Sequence, residues 1–168
     1  MPENPFTNTP PPALDYAAVA KASPEIISGA RWFWWIAGLS LVNSVILHSG
    51  GGTSFVIGLG FTQIVDALFQ SLKPVAFGID LFALGFFFAM GWYATKGYLW
   101  AFITGMIFYS LDAVIYVVAQ DWMPVGFHGL ALFYLFRATM KLREEIKSAR
   151  IAQATPVAPP VIATSTGV

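Results

Sequence analysis

Residues 75 to 120 read VAFGIDLFALGFFFAMGWYATKGYLWAFITGMIFYSLDAVIYVVAQ, and only Asp80, Lys96 and Asp112 carry charge in them. The Lys96-Gly97 step divides the stretch into two apolar runs, Val75 to Thr95 and Tyr98 to Gln120. A helix crossing the hydrocarbon core of a bilayer needs about 20 mostly apolar residues. Two such runs joined by a Lys-Gly turn predict a membrane-spanning helical hairpin.

Further apolar segments lie on either side. Trp32 to Ser49 opens with Trp32, Phe33, Trp34 and Trp35 directly after Arg31, and Gly50-Gly51-Gly52 ends it. The Trp rings favour the headgroup level, where an apolar body and a polar edge are both satisfied. Phe55 to Leu72 is long enough to cross but contains Gln63, Asp66 and Gln70, and Lys73-Pro74 closes it. Val125 to Met140 follows the Asp121-Trp122-Met123-Pro124 boundary and continues as a charged helix through Arg150. The expected fold is all-α, a polytopic transmembrane bundle of five hydrophobic helices. The alternative is four spans, with Phe55 to Leu72 as a re-entrant helix, because its polar side chains weaken insertion.

Composition agrees. Of the 168 residues 57% are hydrophobic and 11% charged, against about 25% charged in a soluble domain. Mean hydropathy is +0.65. Nine basic and nine acidic residues balance, so no global field points to nucleic acid. The chain has no cysteine, which removes disulfides, thiolate metal sites and Cys nucleophiles. The expected organisation is a disordered leader over residues 1 to 30 with a short interfacial helix over Ala13 to Ser28 interrupted at Pro24, a membrane domain over 31 to 142, and a basic helix end with a disordered tail over 143 to 168. The MPENPFTNTPPP start has no basic region before an apolar core, so it does not read as a signal peptide.

Five basic residues between Arg137 and Arg150 face Glu144 and Glu145, which puts the C-terminal side in the cytoplasm. Five spans place the N-terminus outside, with Lys21, Arg31 and Lys73. Four spans leave only Lys73 outside.

Ionisable groups inside apolar helices are the informative exceptions, because an Asp at the helix centre costs about 2.5 to 3.5 kcal/mol on insertion scales. Asp66, Asp80, Asp112 and His128 are the four. At about 1.5 Å per residue they lie about 6 to 13 Å below the membrane face opposite the basic tail. Tyr109, Asp112 and Tyr116 share a face, as do Thr62, Asp66 and Gln70, with Gln63 on the flank. Asp66, Asp80, Asp112, His128, Tyr109, Tyr116 and Gln63 are therefore the candidate polar cluster. The bland account is a protonated Asp hydrogen-bonded across a helix interface, with Asp80 near interfacial water. The sharper accounts are a divalent metal on Asp66, Asp112 and His128, or a proton relay through the carboxylates. No HExxH, ExxH, GxSxG or phosphate-loop pattern is present, so no catalytic residue and no cofactor are assigned.

The pieces GLGFTQIVDAL, FYSLDAVIYVVAQDW and GFHGLALFYLFR, with the RWFWWIAGLSLVNS start, resemble uncharacterised small multi-spanning bacterial membrane proteins. The resemblance covers roughly residues 31 to 143 and implies a bacterial inner-membrane location without an activity. The expected role is non-enzymatic: an accessory or structural membrane protein whose partners are the lipid bilayer, another copy or a membrane complex. A small transporter or proton- or cation-handling protein using Asp66, Asp112 and His128 is the alternative, and a metal-dependent membrane enzyme comes third.

Overall fold

The structure, a computed structural model, describes residues 12–48, 59–69 and 72–155. The first eleven residues of the leader, the glycine run, Gln70 and the tail after Thr155 lie outside the described residues. Helix accounts for 88% of what is described, with no strand among the described residues. The elements are α1 (Tyr16–Ala22), α2 (Pro24–His48), α3 (Gly60–Leu68), α4 (Lys73–Thr95), α5 (Leu99–Val118) and α6 (Trp122–Ala154).

The two apolar runs form α4 and α5. Over Pro74–Thr95 and Leu99–Val118 they are long and apolar enough to cross a membrane, and only 33% of either stretch is buried in the bundle. Both hairpin turns of this half end in left-handed backbone. Gly97 has φ +77° after α4, and Gln120 has φ +58° after α5. The Tyr98 and Asp121 N–H groups then reach back to the Tyr93 and Tyr116 carbonyls, satisfying helix-end acceptors. Glycine is the natural occupant of that conformation, and Gln120 adopts it without that freedom.

α2 starts earlier than expected. Pro24 opens it instead of interrupting a helix, because the first turn has no use for the missing N–H. α1 is a separate short helix whose first turn Asp15 caps, accepting from the Ala17 and Ala18 N–H groups. The segment expected as the second hydrophobic helix, Phe55 to Leu72, differs most. Its described helix is α3, bounded by Leu59 and Phe69. Nine residues rise about 13 Å, less than half of a hydrocarbon core of about 30 Å.

Helices α2, α4, α5 and α6 close into an antiparallel ring, α2 packing on α4 and α6, and α5 on α4 and α6. Arg137 meets Glu25 at one end of the α2–α6 seam. Ser44 meets Asp80 at the far end of the α2–α4 seam. Phe33 is fully buried at the centre, against Phe87 and Phe102. Its ring reaches so close to Gly105 that a Cβ there would sit 2.3 Å from Cε1. α1 packs on α6, α2 and α4 at the end that carries the α4–α5 turn.

The bundle has an apolar core, and its exterior is apolar as well, with polar groups enclosed among the core residues. Phe82, Leu68, Met123, Trp122 and Val118 are among the many large apolar residues on the outside, while Asp80, Asp112, His128, Asn43, Ser40 and Ser44 are buried.

Candidate functional site

The site is built where α5, α6 and the start of α3 meet. Tyr109, Asp112 and Tyr116 recur at helical spacing on the inward face of α5, and all three are buried. His128 comes from the second turn of α6 and is 2% exposed. Its Nδ1 lies 2.8 Å from the Pro124 carbonyl oxygen. A carbonyl only accepts, so Nδ1 carries a hydrogen and its tautomer is fixed. Nε2 then faces Asp112 Oδ2 at 2.9 Å. One proton lies in that contact, on the imidazole or on the carboxyl group.

The other partners of Asp112 come from a backbone. The Gly60 N–H donates to Oδ2 at 2.9 Å and the Phe61 N–H donates to Oδ1 at 2.8 Å. These groups belong to the first turn of α3, where a helix leaves its N–H groups without intrahelical acceptors. Leu59, the N-cap residue, supplies no side-chain bond, so Asp112 caps α3 from a different helix. The positive end of the helix dipole points at the same carboxyl group. Gly60 makes the approach feasible: a Cβ on it would lie 2.9 Å from Tyr116 Cε2 and 3.2 Å from Ile115 Cγ2. Within α3, the buried Thr62 hydroxyl donates to the Leu59 carbonyl at 2.8 Å.

Aromatic rings enclose the imidazole. Tyr109 stacks on His128 with centroids 4.2 Å apart and 16° between planes, and Tyr116 sits at 5.3 Å and 50°. Gln63 Nε2 donates to the Tyr116 hydroxyl at 3.0 Å. Tyr109, Tyr116, Gln63, Asp112 and His128 thus converge, tying α3 to α5 and α6.

Asp80 belongs to a different seam. It is 1% exposed, buried instead of meeting interfacial water, and accepts from the Ser44 hydroxyl at 3.0 Å. Ser40 and Asn43 are buried on the same helix as Ser44. The sequence marks those α2 residues as a polar patch but gives no pairing with Asp80. Asp66 lies on α3, and its side chain is outside the described residues, as is that of His48.

Among the described residues no group of three or more His, Asp or Glu side chains is placed to hold a metal ion. Both His128 nitrogens are engaged within the chain, leaving no imidazole lone pair directed at an ion. The partners that sequence reasoning missed are the Gly60 and Phe61 N–H groups. A glycine opening a short helix is a weak sign of such a contact, and only the tertiary placement of α3 makes it one. Compared with known proteins, the chain matches no family model, no curated protein and no solved structure.

Proposed function

We propose that the chain is a non-enzymatic, multi-pass membrane protein in which α2, α4, α5 and α6 cross the bilayer and α3 is a re-entrant half-helix. The observation that carries this reading is the saturation of the Asp112 and His128 polar atoms by partners inside the chain. A site built to bind and turn over a substrate leaves donors or acceptors open to it; this one spends them on holding α3. The apolar exterior supports immersion in lipid, since a contiguous apolar surface of this extent is foreign to a soluble monomer. A bacterial inner membrane is part of the same proposal. Four crossings also put Lys21, Arg31, Lys96 and the α6 cations on one side, which the charge rule assigns to the cytoplasm.

The role that fits is an accessory component that packs with another copy or a larger membrane complex. Gly85 supports it, because a Cβ there would meet nothing within 4 Å, leaving the α4 exterior open to a neighbouring helix. Reporter fusions test the crossings: both tails report the cytoplasm and a fusion at Gln120 reports the opposite side. Tails on opposite sides overturn it.

A second reading is favoured by the one proton held between His128 Nε2 and Asp112 Oδ2: a proton- or cation-handling protein. Proteoliposomes carrying a pH-sensitive dye separate the two. The accessory reading expects no protein-dependent proton flux, and flux abolished by Asp112→Asn in a folded protein replaces it with the second.

A further inference from the structure

The end of the bundle opposite the Asp112 site holds an open groove of about 850 Å³ between α1, the α4–α5 turn and the overhanging part of α6. Three cations line it: Arg143, Lys147 and Arg150. They recur at i, i+4 and i+7, a stripe about 60° wide on one helix face. Among the described residues no ion pair reaches any of them. Of the acids nearby, Glu25 pairs with Arg137 at 2.8 Å and Glu145 with Lys141 at 2.9 Å, Asp15 caps α1, and Glu144, about 100° round α6 from Arg143, lies off the stripe and outside the groove lining. Among the described residues no acidic side chain lines the groove.

Its remaining walls are of two kinds. Tyr16, Tyr98 and Trp100 form an aromatic rim, Tyr16 and Tyr98 stacked at 6.4 Å. Leu99, Ile146 and Ile151 supply an apolar floor. Height along the bundle distinguishes this from an arbitrary basic patch. Arg143 lies about 21 residues after Trp122, or about 32 Å along α6, which matches a hydrocarbon core of about 30 Å. Lys96 also lies at this level, its ammonium 3.5 Å from the Trp92 ring. Aromatic rims with cations mark the headgroup layer.

We infer that this groove binds one anionic phospholipid, with its headgroup phosphate among Arg143, Lys147 and Arg150 and an acyl chain along Leu99 and Ile146. Charge complementarity selects the occupant: three cations at headgroup height, with no ion pair among the described residues, face the leaflet in which anionic lipid is the abundant counter-charge. Arg150 is held in place for this, its Nη2 donating to the Tyr16 hydroxyl at 3.1 Å.

The inference rests on the membrane reading, and the test separates the two. The full chain is purified in detergent, and its unfolding temperature is followed while short-chain phosphatidylglycerol or phosphatidylcholine is added. Phosphatidylglycerol is expected to bind at least about tenfold more tightly. Arg143→Gln combined with Lys147→Gln is expected to weaken it about fivefold per cation lost, and the charge-keeping pair Arg143→Lys with Lys147→Arg is expected to restore it. Equal response to both lipids, or a preference that survives the Gln pair, overturns the inference. So does an equal response to soluble glycerol phosphate, which would make the site a phosphate site and not a lipid one. Carbonate extraction of membranes reports the parent reading independently: a chain that stays with the membrane yet shows no lipid preference loses only the groove.

Discussion

Asp112 and Phe61 are 51 residues apart in the chain and joined by a 2.8 Å hydrogen bond from the Phe61 N–H to Oδ1. A carboxyl group of one helix therefore does for another what an N-cap side chain normally does from its own sequence. This relationship changes what substitution at 112 should do. An amide looks able to replace the acid when the site is imagined as a simple interhelical hydrogen bond. Here both oxygens accept backbone donors, and an asparagine turns an NH2 group toward one of them. Asp112→Asn is expected to destabilise the protein by about 1 to 3 kcal/mol, read as thermal unfolding in detergent. Asp121→Asn, at an exposed helix start, should stay within about 0.5 kcal/mol.

His128→Phe keeps the stacking on Tyr109 but removes the partner of Oδ2. We expect a loss of about 1 to 3 kcal/mol, because the two N–H donors continue to serve the carboxyl group. In the double variant with Asp112→Asn, the losses should fall short of additivity by more than about 0.5 kcal/mol. Strict additivity would mean that the two side chains act separately.

A buried and an exposed glycine should respond with opposite signs. Gly60→Ala drives a methyl group against Tyr116 and is expected to cost about 1 to 3 kcal/mol. Gly85→Ala meets open space and should gain up to about 1 kcal/mol from helix propensity. A Gly85→Ala variant that is no less stable yet loses self-association on size-exclusion chromatography would identify α4 as the contact face.

The two left-handed turns give another opposed pair. Gln120→Gly removes the penalty of a side chain at φ +58° and is expected to stabilise by about 0.5 to 1 kcal/mol. Gly97→Ala combines φ +77° with a Cβ 2.2 Å from the Tyr16 carbonyl oxygen, and should cost about 2 kcal/mol or more. Because that clash is with α1, the loss should be accompanied by faster proteolysis near Tyr16.

The hairpin of α4 and α5 was legible because its apolar runs are long and its turn is a Lys-Gly step, both properties of local sequence. The inward face of α5 was legible for the same reason: Tyr109, Asp112 and Tyr116 stand at helical spacing whatever surrounds them. The length of α3 was not. Phe55 to Leu72 is apolar enough on average to suggest a full helix, and what sets the start of the described helix at Gly60 is a cap supplied by a residue 52 positions away. Depth reckoned from helix rise put Asp80, Asp112 and His128 at similar heights but carries no information on rotation about each axis. Rotation is what sends Asp80 to Ser44 and Asp112 to His128. Pro24 misled for a simpler reason, being a breaker within a helix and a good opening residue at its start.

The distance in sequence between Gly60 and Asp112 also orders the events of synthesis. When α3 leaves the ribosome, the acceptor for its first N–H groups has not yet been made. The half-helix has no settled place until α5 arrives, and His128 arrives later still. On the proposed membrane reading, insertion of this chain is a retroactive process, in which the second half completes the first. A nascent chain arrested before residue 112 has emerged from the ribosome should leave α3 exposed to solvent labelling, and one arrested after residue 128 has emerged should protect it.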